Sequence, residues 1–216
     1  MLVKRTIPMP VKKILHNETN YIEWNSFKAG SWESFGRIYD AHFKSLNNYG
    51  YKFTRDTDQI EDAVHDLFVN LWQKRAQIGN PVSVRNYLYK SLRNMLFRKM
   101  ETQQKFVKLN AEDDYQFHFE VSFDTLLMEN EAKKDLQMKM KEAIQTLSAR
   151  QQEIIYLRFY EGLSYEEAAD IMNLNINSTY KLLYKAIGKL QKQVKLVDLM
   201  IILCLFASDK ALLKIN

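Results

Sequence analysis

The sequence is poor in residues that break or cross-link a chain. It has one cysteine, Cys204, so no internal disulfide can form and no metal site built on several cysteines is available. Nothing therefore points to an oxidising compartment. Six glycines and three prolines in 216 residues are about a third of the share that an average protein carries. So few turn residues exclude collagen-like and Gly-Pro-rich chains, argue against a many-turned β-sandwich, and favour helices. Long hydrophobic runs are missing too. The most apolar window, Leu199–Ala207, has nine uncharged residues, where a membrane-spanning helix takes about 20. The opening MLVKRTIPMP carries charge without a long apolar stretch behind it, so no secretory signal is read and the expected compartment is the cytoplasm.

Catalytic groupings are equally scarce. His16, His42, His65 and His118 lie apart without metal-ligand spacing, Cys204 sits in an apolar run with no base near it, and no Gly-rich phosphate loop is present. The expectation is no catalytic residue, no metal, no cofactor and no small-molecule substrate.

What the chain does have is apolar residues at 46% and aromatics at 12%, enough to bury one or two cores. Its formal net charge of +5 is unevenly placed. Arg85–Lys105 holds six basic residues and one acid, Asn110–Glu131 holds seven acids and no Lys or Arg, and Asn177–Gln193 holds four lysines and no acid. Two basic ends around an acidic middle suggest two domains and a linker. The acidic stretch reads as a solvated spacer.

Apolar residues recur at helical spacing. Phe35, Ile38, Tyr39, His42 and Phe43 predict a helix over Trp32–Tyr51; Ile60, Ala63, Val64, Leu67, Phe68 and Leu71 predict one over Asp58–Lys74. After the break at Gly79-Asn80-Pro81, Tyr87, Leu88, Leu92, Met95 and Leu96 predict a third over Val84–Met100. Beyond the linker, Lys133–Leu147 is helical by pattern. Ser148 with Gln151, and Ser164 with Glu167, are capping boxes that open the next two helices, with Gly162 as a stop between them. Asn173-Leu174-Asn175 is a tight turn, and a last helix runs from near Ile176 to about Lys192.

Two short helices joined by a tight turn, the second rich in lysine, are a helix-turn-helix arrangement. Ala168-Ala169 are small where the second helix must cross, and Asn173 tolerates the backbone angles that the turn needs. Leu174, Ile176, Thr179, Leu182, Leu183, Ala186 and Leu190 form the inward stripe of the second helix. Asn177, Ser178, Tyr180, Lys181, Tyr184 and Lys185 face outward, where such side chains read base edges and pair with phosphates.

The segment from Leu147 to Met172 resembles region 4 of the sigma-70 family of RNA polymerase sigma factors. Ile60 through Phe68, with Leu71-Trp72, is similar to the core-polymerase-binding helix of region 2 in that family. Tyr87-Leu88-Tyr89-Lys90 and Arg93-Asn94 resemble the promoter-melting segment that follows it. With these two modules alone, the chain looks like the extracytoplasmic-function (ECF) group. The resemblance implies an all-α protein: an extension over 1–26, region 2 over 27–105, a linker over 106–131, region 4 over 132–193 and an apolar tail over 194–216.

It also implies the roles. Asp58, Glu61, Asp62, His65 and Asp66 would dock on the polymerase β′ clamp, with Phe68 and Trp72 in the core, and region 4 would meet the β flap. Arg85, Tyr87, Lys90, Arg93, Asn94, Arg98 and Lys99 would melt and hold the −10 element, and the outward face of the last helix would read the −35 element. The linker would thread polymerase channels near the template strand. Promoter DNA and an anti-sigma factor are the further partners implied, the apolar tail being one place where the latter could dock. His65-Asp66 stands where the family commonly has Gln-Glu, Arg98 where it has Asp and Leu182 where it has Arg, which bears on promoter sequence. The other readings of the same residues are a helix-turn-helix regulator that does not recruit polymerase, and a protein-binding adaptor that mimics a sigma factor.

Overall fold

The computed structural model describes residues 21–103, 115–119, 131–192 and 194, with the backbone alone at 103 and 131–137. The readings made above for Lys105, for the linker acids and for the apolar tail beyond Lys195 lie outside the described residues. Among those described, every regular element is a helix, as the scarcity of turn residues implies.

The first bundle begins with a helix over 21–28 (α1), whose Trp24 and Phe27 are buried. Trp24 lies on the extension side of the boundary drawn from sequence, yet its indole Nε1 donates to the Gly79 carbonyl at 3.2 Å and its ring meets Tyr87 edge-on. Gly30, at φ +100°, and Ser31 turn the chain. Ser31 then caps α2 (Trp32–Gly50), its side chain accepting from the Ser34 N–H. Asp56 caps α3 (Thr57–Gln73) in the same way through Gln59. α4 (Val84–Gln103) crosses both. Ile38, Leu46, Ile60, Val64, Phe68, Leu71, Leu88, Leu92 and Leu96 fill the space between them. Gly50 of α2 lies tightly against α3: a Cβ there would lie 2.6 Å from Ile60 Cγ2. Phe68 is buried and Trp72 half-buried, the latter stacked edge-on against the exposed Trp32 at 4.9 Å.

The second bundle holds α5 (Glu131–Gln145), α6 (Ala149–Ile155), α7 (Tyr165–Ile171) and α8 (Ile176–Leu190). Both capping boxes form with reciprocal bonds. α6 does not run on regularly to Gly162, as its apolar pattern suggested. It widens into a π-helical turn over Tyr156–Tyr160, and Gly162 at φ +65° ends it. Asn173 takes φ +52° in the turn between α7 and α8, and the Asn175 side chain caps α8 through the Ser178 N–H. Ala168, Ala169, Thr179, Leu183, Ala186 and Leu190 are buried at the crossing. Ile176, placed on the inward stripe from sequence, is at the exposed start of α8, where no turn of helix precedes it to cover its side chain.

Candidate nucleic-acid and polymerase interface

Three surfaces carry the residues singled out by sequence, and they differ in what the fold does with them. On α3, Asp58, Glu61, Asp62, His65 and Asp66 are all exposed, because Ile60, Ala63, Val64 and Leu67 take the opposite face into the core. Few local contacts hold these acids. The Tyr51 hydroxyl donates to Glu61 at 3.2 Å, and Lys99 meets Asp66 at 3.5 Å. The result is an acidic row about two helical turns long, from Asp58 to Asp66.

On α8, Asn177, Tyr180, Lys181, Tyr184 and Lys185 are exposed, and Ser178 is half-exposed with its N–H used by the cap. Tyr184 is 71% exposed. Tyr180 leans on Tyr165 of α7 at 4.3 Å between ring centroids. The helix N-terminus and the lysine row therefore stand open on one side of the bundle.

α4 is different, because the second bundle lies against it. Arg93 is buried, and its guanidinium pairs with Glu153 of α6 through Nε at 2.8 Å and an NH2 contact at 3.3 Å. Glu153 is itself fully buried and accepts from two further hydroxyls, Tyr49 at 2.5 Å and Tyr115. Arg85 pairs with Glu161, which also accepts from Tyr89 at 3.0 Å and from Tyr156 at 2.8 Å. The π turn sets Glu161 for this, since its N–H closes on the Tyr156 carbonyl at 2.8 Å. Lys90 and Asn86 bind the two oxygens of Asp170 at 2.5 and 2.9 Å, and Asn94 meets Asn173 at 3.1 Å. Of the cations named on α4, Lys99 turns to Asp66, and Arg98 is exposed.

The electrostatics follow from burial. Burial alone pulls the Arg93 guanidinium down, and no single neighbour offsets that. The Glu153 charge, Tyr49, the hydrogen bond to Glu153 and Tyr115 together do, so the group is held protonated more firmly than usual. Burial followed by the neighbouring carboxylate pushes Tyr49, Tyr115, Tyr89 and Tyr156 above the ordinary tyrosine value of 10.0. Each phenol stays neutral as a donor to the buried carboxylates. Two buried glutamates are thus each satisfied by one arginine and two tyrosines, which is the condition under which buried charge is tolerated.

The linker takes part. Tyr115, Phe117 and Phe119 are buried while Gln116 and His118 are exposed, so residues 115–119 run as an extended segment with one face inward. The solvated spacer expected from its charge does not describe this stretch. The signal that could have found it was present: aromatic and polar residues alternate with period two. The partners Glu153, Glu161 and Asp170 had no such signal, since they lie 60 to 80 residues from their α4 partners.

Two family models match the chain: Sigma-70 region 2 over residues 38–106, and Sigma-70, region 4 over residues 137–190. The chain belongs to the sigma-70 family, in its ECF group. It is 24% identical over 160 residues to the RNA polymerase sigma factor SigV of Bacillus subtilis, covering 73% of this chain and 89% of SigV. It is 24% identical over 177 residues to the ECF RNA polymerase sigma factor BldN of Streptomyces coelicolor, covering 76% of this chain and 62% of BldN. Its fold is similar to that of the sigma factor RpoE of Bartonella quintana, solved in complex with the anti-sigma factor NepR. That likeness has a TM-score of 0.54 at 22% identity and covers 76% of this chain and 98% of RpoE. In these terms α2–α4 are the helices of sigma region 2, and α5–α8 those of region 4. No helix among the described residues is long and apolar enough to cross a membrane.

Proposed function

We propose that this ECF sigma factor binds core RNA polymerase and directs initiation at promoters that it selects itself. In this reading the acidic row of α3, Asp58, Glu61, Asp62, His65 and Asp66, docks on the basic clamp of the β′ subunit, where charge complementarity speeds and orients encounter. Region 4 contacts the β flap. Its α8 lays Asn177, Ser178, Tyr180, Lys181, Tyr184 and Lys185 in the major groove at the −35 element. Region 2 melts the −10 element with α4. There Arg85, Lys90, Arg93, Arg98 and Lys99 supply cations along the strand, and Tyr87 and Asn94 lie among them for stacking and base contact. The complex of RpoE with NepR supports an anti-sigma factor as a further partner of this chain.

The observation that carries the reading is the pairing, on one chain, of an exposed acidic row on α3 with an exposed polar face on α8. A helix-turn-helix regulator working alone would leave the acidic row without a use. The test is transcription in vitro with sigma-free core polymerase and a library of genomic fragments, with new 5′ ends mapped. Discrete starts that share two upstream motifs are expected, and they should vanish when Asp62 and Asp66 are both changed to Lys. Tight core binding without any start would instead favour an adaptor that mimics a sigma factor.

A further inference from the structure

Residues 115–119 touch both domains at once. The Tyr115 ring lies 5.7 Å from Phe53 and 4.9 Å from Phe97, both in region 2. The Phe119 ring lies 5.4 Å from Tyr156 and 6.0 Å from Tyr160, both in region 4. Phe117 stands between, 5.1 Å from Phe53 and 5.8 Å from Tyr156. The backbone is tied down where the His118 N–H donates to the Lys52 carbonyl at 2.6 Å. The Tyr115 hydroxyl donates to Glu153, the carboxylate that also holds Arg93.

We propose that Tyr115-Gln116-Phe117-His118-Phe119 is an internal strap whose seating keeps region 4 on α4, so that withdrawing the linker and uncovering the nucleic-acid face of α4 are one event. The covering half of this proposal rests on the sigma-factor reading of α4; the strap half rests on the contacts alone. Two physical features couple the events. Lifting the strap exposes ring faces of Phe53 and Tyr156, so apolar burial between the domains is lost together with it. Lifting it also takes one of the three side-chain donors from Glu153, which leaves the Arg93 pair less well satisfied inside a dry interface. Arg85, Lys90, Arg93 and Asn94 are all engaged by region 4 while the strap is seated. A partner that draws the linker elsewhere competes with the strap rather than with those four residues. The apparent affinity of α4 for nucleic acid is then its intrinsic affinity scaled by the fraction of molecules that are open.

The experiment uses the full chain without polymerase, as wild type, as the double variant Phe117→Ala/Phe119→Ala, and as Tyr115→Phe. Small-angle scattering reads the separation of the domains. Titration with a fluorescent single-stranded oligonucleotide at fixed salt reads access to α4, and circular dichroism checks that both bundles remain helical. The double variant should show a larger radius of gyration and bind the oligonucleotide about tenfold or more tightly, the ratio expected when a minor open state becomes the main one. Tyr115→Phe keeps its ring contacts and loses one hydrogen bond, so its gain should be smaller but measurable. An unchanged radius and an unchanged affinity in both variants would overturn the strap. If the double variant loses helix content, Tyr115→Phe decides alone. A larger radius with no gain in binding would overturn the covering half. Wild-type chain that gives no polymerase-directed starts, while the variants still open, would sink the sigma-factor reading and leave the strap standing.

Discussion

The two basic surfaces of this protein have similar side chains and opposite circumstances. α8 carries Lys181, Lys185 and Tyr184 facing solvent, with Tyr180 beside them leaning on Tyr165 of α7. α4 carries Arg85, Lys90 and Arg93 turned toward carboxylates of the other bundle, with Arg93 and Glu153 enclosed. A lysine on an open helix face costs little to place and is ready for phosphate. An arginine in a dry interface has been desolvated, and only a matched carboxylate with its remaining lone pairs filled makes that bearable. Residue type therefore says that a surface can meet nucleic acid. Its partners in the fold say whether it is able to do so now.

The contrast can be broken most sharply at Glu153. Glu153→Ala leaves Arg93, Tyr49 and Tyr115 without their shared acceptor, and removing one partner of a buried pair costs about 3–5 kcal/mol. Urea unfolding should show that loss, with the interface between the bundles opening before either bundle melts. Next comes a change that weakens region 2 without touching its interface with region 4. Gly50→Ala drives a methyl group against Ile60 and should cost about 1–3 kcal/mol. A drop in the melting of α2–α4 with α8 binding unchanged would check it.

Alkaline pH tests the covered surface through its four buried tyrosines. Tyr49, Tyr89, Tyr115 and Tyr156 have values raised above 10.0 in the closed state, and they would return toward it when exposed. Their contribution to closure is complete below that value. It declines as pH rises past 10.0, where the open form releases protons that the closed form keeps. Scattering should thus record opening in step with phenolate absorbance.

Smaller effects sharpen the comparison. Asp170→Ala removes the half-exposed pair with Lys90, with side chains 49% and 35% exposed, and should cost only about 0.2–1 kcal/mol. Lys181→Ala and Lys185→Ala should change stability by no more than about 0.5 kcal/mol. Each should lower the salt dependence of promoter binding by about one counterion. A stability loss at either lysine as large as that at Asp170 would mean that α8 is not the open surface described here.

Local chemistry made most of the helices legible. Ser148 with Gln151 and Ser164 with Glu167 cap helices wherever they sit, because each box joins residues three apart. Asn173 in the left-handed region and Ala168-Ala169 at the crossing are likewise short-range requirements. The acids of α3 and the polar face of α8 could be assigned to the surface by period alone. The π turn at Tyr156–Tyr160 could not, because a widened turn leaves no mark in apolar spacing.

Periodicity and capping, both set by neighbours along the chain, are thus written in the 216 residues: two helical bundles, a helix-turn-helix, an acidic row and a basic one. Which carboxylate meets which cation is not, because Arg85 with Glu161, Arg93 with Glu153 and Lys90 with Asp170 are joined only when one bundle settles on the other. Nor is the fate of the linker, whose acids call for water while its alternating rings find a dry seam. That seam exists only once both bundles have folded to make it.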